Sequence, residues 1–295
     1  MYFEGLDIIR LLGFVWVFLH HIQVPILLIR ENGWIGMDLL FTLSGFLITS
    51  RPKDNFYIKR ILRIWPLYFL YLFLIGHYDQ TWPYMLFAGN WQIMLHGWSS
   101  FVLVGHLWAI SMQEQFYLVF PLLFKHLNWV ICCGLILSTG LKFIFFNPDN
   151  YFYIYMNTFT RLEPFLLGSL VALYNEKIKK HTAKVWLIFV LGLISFNFIN
   201  IRESLNIWIV VLGYLWVAIW CASFIQLILH NSYFKIQIVK KLAGLGFGLY
   251  VWHKLAMVIT GNNVVLAFVL TVTIAYISYE GYEKWFYKLK SYFRH

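Results

Sequence analysis

The chain has 295 residues, 61% of them apolar and 12% charged, with a mean hydropathy of +0.68. Soluble domains carry about 25% charged and 45–50% apolar residues, so this composition excludes a soluble enzyme and a disordered chain. A spanning helix needs about 20 residues, so ten would take up roughly two-thirds of the chain. The expected fold is all-α: one polytopic membrane helix bundle over residues 1–295, with short loops. The formal charge is +10, yet the placement of the cations argues against nucleic acid as a partner. Seventeen of the 23 Lys and Arg fall in Arg51–Arg63, at Lys125, and in Lys177–Lys184, Lys235–Lys241 and Lys284–Arg294. These are alternate inter-helix segments, the pattern of cytoplasmic loops.

In chain order, apolar runs predict spans at about 6–28, 35–50, 61–76, 106–125, 128–146, 158–174, 184–201, 206–229, 242–260 and 263–286. Ten crossings would leave both termini cytoplasmic. The apolar segment 82–98 is short and holds Pro83, Gly89 and Gly97. A full crossing there would move Lys125 and every later basic loop to the other side. One re-entrant or interfacial helix on the outer face is expected instead. Met1–Asp7 is acidic and no small-residue cleavage site follows, so the first span is expected to stay in the membrane. Cys132, Cys133 and Cys221 lie in apolar runs without CxxC spacing and read as buried small hydrophobes.

A lipid-facing charge costs several kcal/mol, so ionisable residues within spans face the bundle interior or a water-filled cavity. The candidates are Asp7, Arg10, His20, His21, Asp38, Glu114, Arg161, Glu163, His253, Lys254 and Glu280. At 100° per residue, Arg10 and His21 fall within about 20° of one stripe, Asp7 about 40° from it and His20 about 80° away. Imidazole exchanges a proton near neutral pH, so the Asp7–Arg10–His21 face suits general-base chemistry. A structural histidine bonded to a neighbouring helix is the other reading.

Arg60 and Arg63 share a helix face at the expected cytoplasmic edge. They suit either a phosphorylated ligand, through charge-assisted hydrogen bonds, or simple anchoring. Ser44-Gly45 suits close helix packing. Gln113, Glu114, Gln115 and Tyr117 crowd four polar groups into little more than one turn, which suggests a polar cavity. Arg161 and Glu163 open the sixth span near the outer face, and Tyr250 and His253 lie one turn apart in the ninth. No His pair has HxxxH or HExxH spacing, so no metal is expected.

Seven segments in order carry a resemblance over nearly the whole chain. They are LDIIR–(ten residues)–H at Leu6–His21, GMDLLFTLSGFLIT at 36–49, FYIKRILRIWPLY at 56–68, HLWAISMQEQFYLVFP at 106–121, RLEPFLLG at 161–168, GLYVWH at 248–253 and YEGYEKWF at 279–286. Together they resemble the acyltransferase-3 family of integral-membrane O-acyltransferases. The resemblance implies transfer of an acyl group, most often acetyl, from cytosolic acyl-CoA to a hydroxyl of an extracytoplasmic glycan or lipid-linked sugar. It also implies a multi-pass protein of the bacterial cytoplasmic membrane, with acyl-CoA as co-substrate and no other cofactor.

The family's arginine–ten residues–histidine signature falls on Arg10 and His21, with Asp7 beside them as the catalytic group. Its donor-binding arginines fall on Arg60, Arg63 and Arg161. Gln113, Glu114, Tyr117 and His253 are expected to form a supporting polar cavity. Two positions depart from the family pattern: Gln113 replaces the usual glutamate, and Trp285 a frequent proline. The fused C-terminal esterase-like domain of many members is expected to be absent. A glycan or small-solute transporter is the rival reading.

Overall fold

A computed structural model describes residues 5–25, 31–50, 54–76, 78–98, 102–198, 200–202, 204–230 and 237–293. Arg51, Lys53, Lys235 and Arg294 of the predicted basic loops lie outside the described residues. Among the described residues 83% are helical and none lies in a strand. The helices are α1 (Leu6–His21), α2 (Ile35–Ser50), α3 (Phe56–Ile75), α4 (Tyr78–Met85), α5 (Gly89–His96), α6 (Val102–Gly105), α7 (Trp108–Val119), α8 (Leu127–Phe145), α9 (Phe152–Tyr155), α10 (Glu163–Lys179), α11 (Thr182–Ser195), α12 (Ile207–His230), α13 (Gln237–Gly244), α14 (Gly246–Ile259), α15 (Val264–Ser278) and α16 (Lys284–Ser291).

Each of the ten predicted spans overlaps a helix, and local chemistry sets several ends. Pro164 occupies the first turn of α10, where its missing N–H costs nothing. The Asn263 side chain caps α15 by accepting from the Leu266 N–H at 3.0 Å. Gly76 and Gly97 follow α3 and α5 with positive φ.

Among the described residues, three helical stretches are long and apolar enough to cross a bilayer: Val102–Phe145, Ile207–His230 and Val264–Leu289. A fourth arises if α13 and α14, bent by 69°, act as one. The others fall short for definable reasons. The 16 residues of α1 reach only about 24 Å against a hydrocarbon core of about 30 Å, and α3 carries Lys59, Arg60 and Arg63 in its first turns. Large apolar side chains nonetheless cover the outside of the bundle, among them Phe73, Leu122, Trp129, Ile144, Phe198 and Val265. An apolar exterior of this extent belongs to a membrane protein.

The centre of the bundle is the crossing of α2 and α10. A Cβ on Gly45 would run into the Phe165 carbonyl, and one on Gly168 into that of Thr42, so the two backbones touch. This is the close packing that Ser44-Gly45 suggested. α1 lies against α2, α12, α13 and α14, which brings both its ends against other helices.

Two expectations need correction. Segment 82–98 forms two short helices, α4 and α5, that begin at Tyr78. Phe87 adopts a left-handed φ of 52° between them, and Gly89 lies against the Tyr84 ring. Cys132 and Cys133 are exposed on the outward face of α8, and only Cys221 is buried.

Candidate active site

α1 opens on two cavities. The smaller, about 120 Å³, is lined by Arg10, Arg60, Arg63, Ser44, Gln113, Tyr117, Phe14 and Tyr250, with apolar neighbours from α2, α3 and α14. Arg10 is ion-paired with Asp7 one turn away on α1. The Arg60 guanidinium lies 4.5 Å over the Tyr117 ring and 5.5 Å over that of Phe56, and it donates to the Tyr117 hydroxyl at 3.3 Å. Gln113 donates to the same hydroxyl. Three arginines thus share one small, partly apolar chamber, a setting suited to phosphate or another strong anion.

The larger cavity, about 640 Å³, lies at the other end of α1. His20, His21, Gln23, Glu31, His106, Tyr151, Arg202 and Lys254 supply its polar lining. His21 Nδ1 is 2.8 Å from His253 Nε2, with the rings stacked at 5.1 Å and 3° between planes. His253 is wholly buried, and its Nδ1 lies 2.5 Å from the Tyr250 carbonyl oxygen. Beside it His106 stands edge-on at 4.9 Å and donates through Nε2 to the Val251 carbonyl at 3.1 Å. Phe14 and Tyr250, which line the arginine cavity, also pack against His253. Phe14 and Tyr250 thus connect the arginine chamber to the imidazole pair.

A third set of buried charges lines neither chamber. Arg161 pairs with Asp38, and Lys142 with Glu163, all four side chains essentially without solvent exposure. The Arg161 guanidinium is boxed by Tyr214 at 4.2 Å, Tyr155 at 5.2 Å and Trp34 at 5.7 Å.

A family profile described as an acyltransferase domain matches residues 3–280. The chain belongs to the acyltransferase-3 family. It is 25% identical over 345 residues to O-acetyltransferase OatA of Staphylococcus aureus (strain NCTC 8325 / PS 47), covering 96% of this chain and 57% of OatA. To YrhL of Bacillus subtilis (strain 168), provisionally named a peptidoglycan O-acetyltransferase, it is 24% identical over 351 residues, covering 96% of this chain and 54% of YrhL. To the provisionally named O-acetyltransferase SACOL0978 of S. aureus (strain COL) it is 26% identical over 310 residues, covering 85% and 50%. The chain thus spans about half the length of these curated relatives. No solved structure matches it.

The fold brings some predicted residues together and separates others. Asp7, Arg10, Arg60, Arg63, Gln113 and Tyr117 meet around the smaller chamber, and His21 meets His253 at the larger. Arg10 and His21 share a stripe, but eleven residues of helix hold them about 16 Å apart. Arg10 pairs with Asp7 and His21 bonds to His253, and the two line different chambers. Arg161 does not join Arg60 and Arg63; Asp38 and an aromatic box hold it elsewhere. Glu114 departs from the expected polar cavity, accepting from Trp65 Nε1 at 2.9 Å. Gln115 ties α7 to α5 through Asn90 at 2.9 Å. Gln113, Glu114 and Gln115 are consecutive and spread around the helix, so they serve different neighbours.

His106 and Lys142 are not among the expected site residues, although His106 heads a quoted motif and a lone lysine inside an apolar run is itself a signal. By azimuth His20 lies off the Arg10–His21 stripe. His20 lines the same cavity as His21, their rings 5.9 Å apart.

Proposed function

We propose that this acyltransferase moves an acyl group, acetyl in the simplest case, from cytosolic acyl-CoA to a hydroxyl of a cell-envelope glycan, free or lipid-linked. One observation carries the reading: α1 presents arginine to a small chamber at one end and histidine to a large chamber at the other. The names of OatA and YrhL support O-acetyl transfer, and that of YrhL supports a peptidoglycan acceptor.

In this mechanism the donor's phosphates are held by Arg60 and Arg63, with Arg10 completing the anion site. The acyl-pantetheine arm points toward Phe14 and Tyr250, which back onto His253. The acceptor enters the larger chamber. His21 takes the proton of the acceptor hydroxyl as its oxygen attacks the thioester carbonyl. The carbon–sulfur bond then breaks, and the proton passes from His21 to the departing thiolate. Ester and CoA thiol are the products.

The membrane assignment follows the same logic. The single domain crosses the bacterial cytoplasmic membrane ten times, with both termini and the arginine chamber on the cytoplasmic side and the histidine chamber outside. The test uses everted membrane vesicles containing the protein, radiolabelled acetyl-CoA and peptidoglycan strands trapped in the lumen. Label in the glycan that requires both protein and acetyl-CoA is expected. Glycan movement without acetyl-CoA consumption would make the protein a transporter. Accessible-cysteine labelling provides the topology: Lys180→Cys and Ile238→Cys are expected to react from the cytoplasm, and Phe152→Cys from outside.

A further inference from the structure

We propose that His253 is a positioning residue that fixes the tautomer of His21, so that Nε2 is the nitrogen that accepts the acceptor's proton. The inference rests on the reading of His21 as the base.

The tautomer follows from a chain of hydrogen bonds in which one partner has no choice. The Tyr250 carbonyl can only accept, so His253 Nδ1, 2.5 Å from it, carries hydrogen and donates. A neutral imidazole has one N–H, which leaves His253 Nε2 as an acceptor. His21 Nδ1 lies 2.8 Å from that nitrogen and must therefore donate to it. The single hydrogen of neutral His21 is thus on Nδ1, and its lone pair is on Nε2.

The surroundings hold this order in place. His253 has no solvent exposure, and Phe14, His106 and Tyr250 pack around its ring. The carbonyl at the head of the chain lies inside α14, where the helix fixes it. When His21 takes a proton on Nε2, both of its nitrogens carry hydrogen. The Nδ1–H still points at the His253 lone pair, which stabilises the imidazolium without a buried carboxylate. His106 has a different part: it donates to the Val251 carbonyl and walls the pair from the side.

Two variants separate positioning from packing. In His253→Gln the amide oxygen can still accept from His21 Nδ1, whereas His253→Leu fills space and accepts nothing. The first measurement needs no acceptor. Nitrogen-15 spectra of histidine-labelled protein in lipid, with the His21 signals assigned by their loss in His21→Gln, are expected to show hydrogen on Nδ1 in the wild type and in His253→Gln. In His253→Leu a mixture of tautomers is expected. Hydrogen on Nε2 of His21 in the wild type would overturn the proposal.

The second measurement is steady-state transfer from acetyl-CoA to soluble peptidoglycan strands at matched membrane abundance. His253→Leu is expected to lower kcat about 10- to 100-fold, short of the ~10⁴-fold that a wholly wrong tautomer costs a serine-protease triad. The KM for acetyl-CoA should not change, and His253→Gln should recover most of the rate. Equal losses in the two variants would make His253 a packing residue. Absence of transfer by the wild type would overturn the proposed activity, while the spectra would still decide the tautomer.

Discussion

The histidine cluster and the Asp38–Arg161/Lys142–Glu163 network are both buried polar islands in an apolar chain, yet they are built on opposite terms. In the network every charge has an opposite charge against it, and Tyr155, Tyr214 and Trp34 close around the guanidinium. In the cluster the groups that meet are imidazoles bonded to one another and to backbone carbonyls, and a cavity runs past them. Cation and anion neutralise each other in the first case and leave little for a ligand to gain. Imidazoles in the second keep proton-transfer capacity and have somewhere to use it. In a membrane protein, burial of an ionisable group alone does not mark a working site. A neighbouring chamber and an incomplete neutralisation do.

The comparison breaks most visibly at His21. His21→Ala is expected to lower acyl transfer about 10²–10⁴-fold, the range for loss of a general base, while membrane abundance stays at the wild-type level. A comparable loss of folded protein would put His21 in the structural class with Arg161.

The converse experiment targets the network. Arg161→Leu leaves Asp38 buried without its cation, and removing one member of a buried pair costs about 3–5 kcal/mol. The expected readout is a lower unfolding temperature in detergent and reduced abundance, with normal activity per folded molecule. The double change Asp38→Leu with Arg161→Leu should recover part of the stability, because apolar replacement of a whole pair is close to neutral. Normal stability in Arg161→Leu together with a raised KM for acetyl-CoA would return Arg161 to the donor site.

These two regions also differ in how far the sequence reveals them. Ten apolar segments are plain from hydropathy, because each is a local property of some 20 residues. The Arg10–His21 stripe is equally legible, because helical azimuth depends only on spacing. The same spacing holds the axial distance of about 16 Å that divides the pair between two chambers, and here the family signature draws attention to the azimuth alone. The Asp38–Arg161 pairing joins residues 123 positions apart, and only the crossing of α2 and α10 brings them together. The partner of His21 lies 232 positions away, so its tautomer has no local trace at all.

A smaller effect is expected at the arginine chamber. Arg60 has the rings of Tyr117 and Phe56 beneath it and the Tyr117 hydroxyl as acceptor, so its charge is held at the wall of the chamber where an anion would sit. Changing Arg60 and Arg63 to Ala together should raise the KM for acetyl-CoA. Each lost charge-assisted bond is worth about 1.5–3 kcal/mol, or roughly 10- to 100-fold. The kcat at saturation should move far less. An unchanged KM would make these arginines membrane anchors.

The smallest effect, and the sharpest contrast, lies between adjacent residues. His20 and His21 have the same chemistry, lie at nearly the same depth and line the same cavity. The 100° turn between neighbours on α1 directs the two rings differently, and it is His21 whose Nδ1 bonds to His253. If exposure to the cavity were sufficient for activity, His20→Ala and His21→Ala would fall together. If the partner behind the ring decides, His20→Ala should lose only a few-fold, through an altered wall of the acceptor chamber, and the loss should appear in the KM for the glycan. Transfer by both variants, at matched abundance and over a range of acceptor concentrations, separates the two. An equal collapse of kcat in His20→Ala would mean that the base is not selected by His253, and that the large cavity holds a different pair of working groups.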